Sequence, residues 1–75
     1  MDQEYARRFW TPEAAEVEYE RLARLLYPIC VTQEGNDGPE ADEIREKMEL
    51  PWYAMDSEGQ ARLEALGIQL SKEYP

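Results

Sequence analysis

The stretch TPEAAEVEYERLARLLYPI, residues 11–29, carries the strongest secondary-structure signal in the chain. Thr11 suits a helix N-cap, because its hydroxyl can accept from an unpaired N–H of the first turn. Pro12 suits the first helical position, where no N–H is needed, and Glu13 suits the positive end of the helix dipole. These residues predict that a helix begins at Pro12.

The residues that follow have the periodicity of an amphipathic helix. Its apolar side consists of Ala14, Ala15, Tyr19, Leu22, Leu25, Leu26 and Ile29. Its polar side consists of Glu13, Glu16, Glu20, Arg21 and Arg24. Glu20 and Arg24 are spaced for an ion pair one turn apart. Because Pro28 disfavours helical geometry in the residue before it, we expect this helix to span residues 12–27.

Glu18 interrupts the amphipathic pattern, since it projects between Ala14, Leu22 and Leu25. One interpretation places its carboxylate at the solvated edge of the apolar side, paired with Arg21. The other is a buried carboxylate with a raised pKa, as occurs at some functional sites.

The length and the cysteine content of the chain limit the class of protein to which it can belong. Seventy-five residues predict one domain, residues 1–75. A chain of this size buries roughly 60% of the surface that its unfolded form exposes, so we expect modest stability. A single cysteine, Cys30, cannot form an internal disulfide and predicts a reducing, intracellular setting. We interpret Cys30 as a small apolar side chain, because no histidine or basic cluster is near it to lower its pKa.

The net charge and the hydropathy of the chain limit the kinds of partner and the cellular location that we expect. Seventeen acidic and eight basic residues give a formal net charge of −9, which opposes direct binding to nucleic acid or to an anionic membrane. No apolar run approaches the roughly 20 residues that cross a bilayer. The start Met1-Asp2-Gln3-Glu4 lacks the pattern of a signal peptide. We therefore expect a cytoplasmic location and a protein partner.

Aromatic residues mark the first ten residues as a short arm or a helical turn. Tyr5 and Phe9 are four residues apart and would share one helix face. Trp10 precedes the Thr11 cap and can pack on Ala15 as a hydrophobic staple. We expect the arm to dock on the rest of the domain. The alternative is an aromatic peptide presented to another protein.

The middle of the chain combines a short apolar stretch with a polar loop. Residues 29–32, ICVT, predict an extended, buried connector, and Gly35 and Gly38 predict an exposed loop over 32–39. The loop is not a calcium-binding EF-hand, because Asp37 alone supplies a carboxylate at the ligand positions compared.

A second helix is expected over residues 40–50. Its apolar stripe is Ala41, Ile44 and Met48. Two ion pairs are expected on its outer side, Asp42–Arg45 and Glu43–Lys47. Because proline clashes with the preceding helical turn, we expect a kink or a separate turn at Pro51.

The run LPWYAM, residues 50–55, is the most apolar six-residue segment. Trp52 and Tyr53 within it have two interpretations, as part of the core or as an exposed binding hot spot.

A third helix is expected over residues 57–73, with Ser57 and Gln60 in the spacing of a capping box. Its apolar face is Leu63, Leu66, Leu70 and Tyr74. Gly59 and Gly67 would let another helix approach this face. Gly67 could instead end the helix, but the common phase of the leucines favours continuation.

A second, weaker apolar line, Ala61, Ala65 and Ile68, lies roughly opposite the leucines. Either the N-terminal arm covers this line or another chain does, and the pattern does not separate the two.

Several classes of chemistry are excluded by composition. Without histidine the chain cannot form a Ser-His-Asp triad, and it lacks the usual zinc ligand. Neither Lys47 nor Lys72 lies in a phosphate-binding loop. We therefore expect a protein that is not an enzyme and holds no cofactor or metal.

The sequence predicts an all-α fold, a small three-helix bundle with a short aromatic N-terminal arm or helical turn. The first functional hypothesis is an acidic, non-catalytic, intracellular interaction module that binds a protein partner or a second copy of itself. The residues expected at its interface are Trp52, Tyr53, Ala61, Ala65 and Ile68.

Two further hypotheses stay open. One is an inhibitor that imitates nucleic acid and blocks a basic groove. Its acidic face would consist of Glu13, Glu16, Glu20, Glu34, Asp37, Glu40, Asp42 and Glu43. The second is an accessory subunit of a larger enzyme.

Overall fold

Four helices make up the described part of the chain, residues 2–32 and 38–73 of a computed structural model. They are α1 (Gln3–Ala6), α2 (Pro12–Thr32), α3 (Pro39–Ala54) and α4 (Ser57–Glu73). Because these residues include no strand, the predicted all-α fold class is confirmed. α2 packs against both α3 and α4, and α1 packs against α3. α2 is therefore the central helix.

The start of α2 is capped as the sequence predicts. The backbone N of Ala14 donates to Oγ1 of Thr11 at 3.2 Å. Trp10 packs against the core cluster that includes Ala15, as expected for a staple. The predicted ion pair on the polar side is also confirmed, with Arg24 Nε 3.1 Å from Glu20 Oε2.

The buried face of α2 is rotated from the predicted one. Ala15, Leu22 and Ala23 are buried, whereas Ala14 is exposed and Leu25 is 47% exposed. The prediction was wrong for Ala14 and Leu25, because α2 has neighbouring helices on two sides. Because α2 contacts both α3 and α4, its buried surface differs from the single apolar face that the sequence pattern predicts.

α2 does not end at Tyr27, and the predicted extended connector at residues 29–32 is wrong. The helix continues through Pro28 to Thr32. Pro28 removes the donor for the carbonyl of Arg24, but Arg24 is exposed and water can hydrate that carbonyl. Tyr27 also donates from Oη to the carbonyl oxygen of Gly67 at 3.1 Å, which ties this part of α2 to α4. Tertiary contacts thus offset the cost of the proline.

Part of the predicted loop over 32–39 is helical. Thr32 ends α2 and Pro39 begins α3. The glycine-containing remainder, residues 33–37, lies outside the described residues, as do the side chain of Cys30 and the predicted stripe residue Tyr74.

α3 runs through Pro51 to Ala54, so the predicted separate turn at this proline is wrong. The proline ring is fully buried. The carbonyl that loses its donor belongs to Lys47, an exposed residue where water can replace the helical hydrogen bond. Burial of the ring therefore favours a helix that proline disfavours locally.

The rest of α3 follows the predicted pattern. Ala41 is fully buried, and Ile44 and Met48 are half-buried. Both predicted surface ion pairs are confirmed, Asp42–Arg45 and Glu43–Lys47, each at 3.3 Å.

Side chains from α1, the turn after it and α4 bind the backbone at the end of α3. The last carbonyls of a helix have no partner within it, and a cation suits the negative end of its dipole. The contacts are Gln3 Nε2 to Met55 O at 3.0 Å, Arg7 Nε to Ala54 O at 3.1 Å and Gln60 Nε2 to Trp52 O at 3.0 Å. The short N-terminal segment is thereby fastened to α3.

The predicted capping box at the start of α4 is wrong. Asp56, rather than Ser57, caps the helix, with Gly59 N donating to Asp56 Oδ1 at 2.8 Å. The Gln60 side chain reaches the carbonyl of Trp52 instead of the cap. An aspartate one residue earlier places its carboxylate at the helix N-terminus, where the dipole favours it.

The remainder of α4 agrees with the prediction. The helix continues past Gly67 to Glu73. Leu63 and Leu70 are buried and Leu66 is half-buried, so the three leucines share one covered face.

The core lies where α1, the start of α2, the end of α3 and the start of α4 meet. Its buried members are Ala6, Ala15, Ala54, Met55 and Leu63. The N-terminal segment contributes Ala6 and Trp10 to it. Tyr5 and Phe9 remain 48% and 58% exposed, with ring centroids 5.3 Å apart in an edge-on arrangement. The predicted contact between the two rings is confirmed, but Phe9 lies in the turn after α1 and both rings are exposed.

Candidate functional site

An open groove between α2 and α3 is the best candidate for a binding site among the described residues. Its volume is 330 Å³, near the low end of the roughly 300–1,000 Å³ of typical ligand pockets. Its lining, most of it apolar, consists of Tyr19, Leu26, Arg45, Met48, Glu49, Trp52 and Tyr53. We call this the α2–α3 groove.

Three aromatic side chains form much of the lining. The ring centroids of Tyr19 and Trp52 lie 5.3 Å apart, with a tilt of 42° between the planes. Trp52 is half-buried, and Tyr53 is 37% exposed. Trp52 and Tyr53 of α3 therefore line the same groove, and each is partly exposed.

Tyr19 is a neutral group at physiological pH. Burial raises the pKa of its hydroxyl above the ordinary value of 10.0, and the nearby Tyr27 and Glu64 add to this effect. Tyr19 thus lines the groove as an uncharged aromatic residue.

Charged side chains lie at the groove on the α3 side. Arg45 Nη1 is 3.3 Å from Oδ1 of Asp42, in an ion pair whose two side chains are both exposed. Glu49 also lines the groove and is exposed. The groove lining therefore contains one positive and one negative side chain, and Asp42, which does not line the groove, offsets part of the charge of Arg45.

The predicted second surface lies elsewhere, on the outer side of α4. Ala61 and Ala65 are exposed, and Ile68 is 61% exposed. The expectation that the N-terminal arm covers this line is wrong, because α1 packs against α3. Coverage by another chain stays a prediction.

Four of the eight carboxylates in the predicted acidic face form ion pairs within the chain. The pairs are Glu16–Arg62, Glu20–Arg24, Asp42–Arg45 and Glu43–Lys47. Glu13 and Glu40 are exposed at the starts of α2 and α3. Glu34 and Asp37 lie outside the described residues. Among the six of these carboxylates that the structure describes, four are therefore compensated by a cationic partner.

Glu16 belongs to the polar side of α2 in the helical pattern, but its side chain links two helices. Arg62 on α4 donates to its carboxylate twice, and these hydrogen bonds hold the pKa of Glu16 below the ordinary 4.5. Only 25% of the Glu16 side chain is exposed. No sequence spacing signals this contact, because its partners lie far apart in the chain.

Glu18 has the first of its two predicted environments. Arg21 donates to both carboxylate oxygens, at 2.7 and 2.8 Å. These hydrogen bonds hold the pKa of Glu18 below its ordinary value. The alternative of a buried carboxylate with a raised pKa is wrong, because the hydrogen bonds from Arg21 outweigh the partial burial of the carboxylate.

The described residues lack two kinds of feature. They contain no group of three or more histidine, cysteine, aspartate or glutamate side chains placed to hold a metal ion. None of the described helices combines the length and apolar character of a membrane span.

The α2–α3 groove also includes residues that sequence reasoning missed as site residues. The helical pattern places Tyr19 and Leu26 on the apolar face of α2, as core. Their position beside Trp52 depends on how α2 and α3 pack, and no local spacing reports it.

No protein-family model, curated protein sequence or solved structure matches this chain.

Proposed function

We propose that this protein is a non-catalytic interaction module that binds a protein partner in the α2–α3 groove. The observation that carries the proposal is the set of aromatic residues at the groove, with Tyr53 37% exposed and Trp52 half-buried beside Tyr19. Tryptophan and tyrosine are enriched among the residues that dominate interface energies. The absence of histidine from the chain and its single cysteine support a non-catalytic role in a reducing, cytoplasmic setting.

The test is affinity capture from the native source with the tagged full chain, followed by identification of the captured proteins. We expect one partner to be captured at low salt and retained in part at high salt, because salt screens the charges around the groove but not its apolar contacts. Tyr53→Ala should reduce the capture by about tenfold or more. Tyr5→Ala is the matched control, because it removes another exposed tyrosine outside the groove. Equal capture by the two variants would refute the proposal.

Trp52→Ala should reduce capture further, but it also removes a ring that packs on Tyr19 and on the core. Its circular dichroism and unfolding midpoint must therefore be measured alongside. Tyr53→Ala remains the decisive variant, because its side chain is more exposed.

A second candidate is self-association through the outer side of α4, and the exposure of Ile68, 61%, favours it. Ile68→Asp should lower the solution mass measured by sedimentation velocity if a second copy covers this side. Gln69→Asp, an exposed neighbour, is the control. An unchanged mass and unchanged partner capture in Ile68→Asp would remove this candidate.

Nucleic-acid mimicry and the role of an accessory subunit have weaker support. Mimicry needs a row of uncompensated carboxylates, and four of those proposed are ion-paired within the chain. It predicts capture that falls steeply with added salt. The accessory-subunit hypothesis predicts that the captured partner is a larger enzyme. The same capture experiment therefore separates these two hypotheses from binding in the groove.

A further inference from the structure

The α2–α3 groove lies between two acidic helices. Together α2 and α3 carry nine carboxylates and four cationic side chains. The carboxylates are Glu13, Glu16, Glu18, Glu20, Glu40, Asp42, Glu43, Glu46 and Glu49. Five of these carboxylates are ion-paired within the chain, but the two helices together still carry more negative than positive charge. This excess favours the approach of a cation and disfavours that of an anion.

The groove lining adds an attraction of shorter range for a cation. The faces of tryptophan and tyrosine rings attract cations, and arginine stacks on them with its planar guanidinium group. Tyr19 and Trp52 present adjacent rings, and Tyr53 lines the same groove. Leu26 and Met48 offer apolar surface on which the aliphatic stem of a long basic side chain can pack.

Two charged side chains, Arg45 and Glu49, line the groove. The ion pair of Arg45 with Asp42 offsets part of its positive charge. Glu49 lines the groove and can accept two parallel hydrogen bonds from a guanidinium group. An aliphatic side chain would use the apolar lining alone, whereas an arginine would use the lining, the rings and the carboxylate.

We propose that the α2–α3 groove binds an arginine side chain presented by a basic segment of a protein partner. Its stem packs on Leu26 and Met48, its guanidinium group stacks on Trp52, and Glu49 accepts its hydrogen bonds. This inference rests on the proposed function, because it names the chemistry of the partner that the groove would hold.

The test uses two short synthetic peptides that differ in one atom group. The first has a central arginine flanked by glycine and serine, with both ends blocked. The second has citrulline, the neutral isostere, in place of arginine. Each peptide is titrated to millimolar concentration into the ¹⁵N-labelled full chain. The readout is the indole N–H resonance of Trp52, which is assigned by its persistence in Trp10→Phe.

We expect the arginine peptide to shift the Trp52 resonance in a saturable way and to bind about fivefold more tightly than the citrulline peptide. Glu49→Gln should remove this preference. Glu46→Gln is the matched control, because it removes the same charge from another exposed glutamate of α3 that does not line the groove. Tyr53→Leu should weaken arginine binding while the rest of the spectrum stays that of the folded chain.

Three results would overturn the inference. They are equal affinity for the two peptides, equal effects of Glu49→Gln and Glu46→Gln, and no shift of the Trp52 resonance. If Tyr53→Ala abolishes capture of the native partner and one of these three results is also found, the proposed function stands. In that case the inference that the groove binds arginine is refuted. If Tyr53→Ala retains the partner, the proposed function itself fails.

Discussion

Arg62 on α4 holds Glu16 on α2 through two parallel hydrogen bonds, with Nε 2.7 Å from Oε1 and Nη2 2.9 Å from Oε2. This geometry is the bidentate pairing that makes arginine–carboxylate contacts specific. Gly59 lies directly against the Glu16 side chain, because a Cβ at residue 59 would come within 3.1 Å of Glu16 Cδ. The Glu16–Arg62 ion pair and Gly59 therefore belong to one contact between α2 and α4.

Glu16→Gln should lower the melting temperature at neutral pH by about 2–4 °C, since a partly exposed pair contributes modestly. The folded-state pKa of Glu16 is below its ordinary 4.5, so its stabilisation is fully present above that value. It is lost as the pH falls through the lower, folded-state pKa. Thermal unfolding from pH 7 down to pH 3 should show the wild type and Glu16→Gln converging at the acid end. Glu46→Gln serves as the exposed control, and a constant difference at all pH values would contradict the prediction.

Alanine at the two glycines of α4 should have different effects. Gly67→Ala should stabilise the protein by about 0.5–1 kcal/mol, because a Cβ there meets only Tyr27 Oη at an ordinary 3.5 Å. Gly59→Ala should lose this gain, because the new methyl group displaces the Glu16 carboxylate from Arg62. In a Glu16→Ala background, where that carboxylate is absent, Gly59→Ala should stabilise the protein as Gly67→Ala does. Urea unfolding measures these three changes in the free energy of unfolding. Equal gains for Gly67→Ala and Gly59→Ala in the wild-type background would show that the contact at Gly59 is harmless.

Asp56→Ala should cost about 1 kcal/mol, because the Asp56 carboxylate accepts from the Gly59 N–H at the start of α4. Ser57→Ala should change the free energy of unfolding by less than about 0.5 kcal/mol, since Ser57 does not cap the helix. Chemical denaturation of the two variants checks the assignment. The reverse order of effects would restore the capping box expected from the sequence.

Arg7→Met should destabilise the protein by about 1 kcal/mol, because Arg7 Nε donates to the carbonyl oxygen of Ala54 at the end of α3. Arg8→Met, at the next exposed residue, is the control for loss of a positive charge. Hydrogen exchange should also show faster opening of α1 in Arg7→Met. If both variants behave alike, the effect is one of net charge and the contact with Ala54 is unimportant.

Local signals in the sequence were sufficient for features that form within one or two helical turns. The Thr11 cap, the Glu20–Arg24 pair and the Tyr5–Phe9 contact all join residues three or four apart in the chain. Their free energies depend on helix geometry, which the sequence period already specifies. The all-α class and the continuation of α4 past Gly67 follow from the same periodicity.

Only the tertiary structure decided the remaining features. Pro28 and Pro51 stand inside helices because packing offsets a local preference against them, and the Pro51 ring is itself part of the buried interior. The exposure of Ile68 and the pairing of Glu16 with Arg62 depend on which helices become neighbours. The α2–α3 groove likewise exists because the packing of two consecutive helices brings together Tyr19 and Trp52, which are distant in sequence. Contacts of this kind have no local sequence signal, since their free energy arises only when distant segments meet.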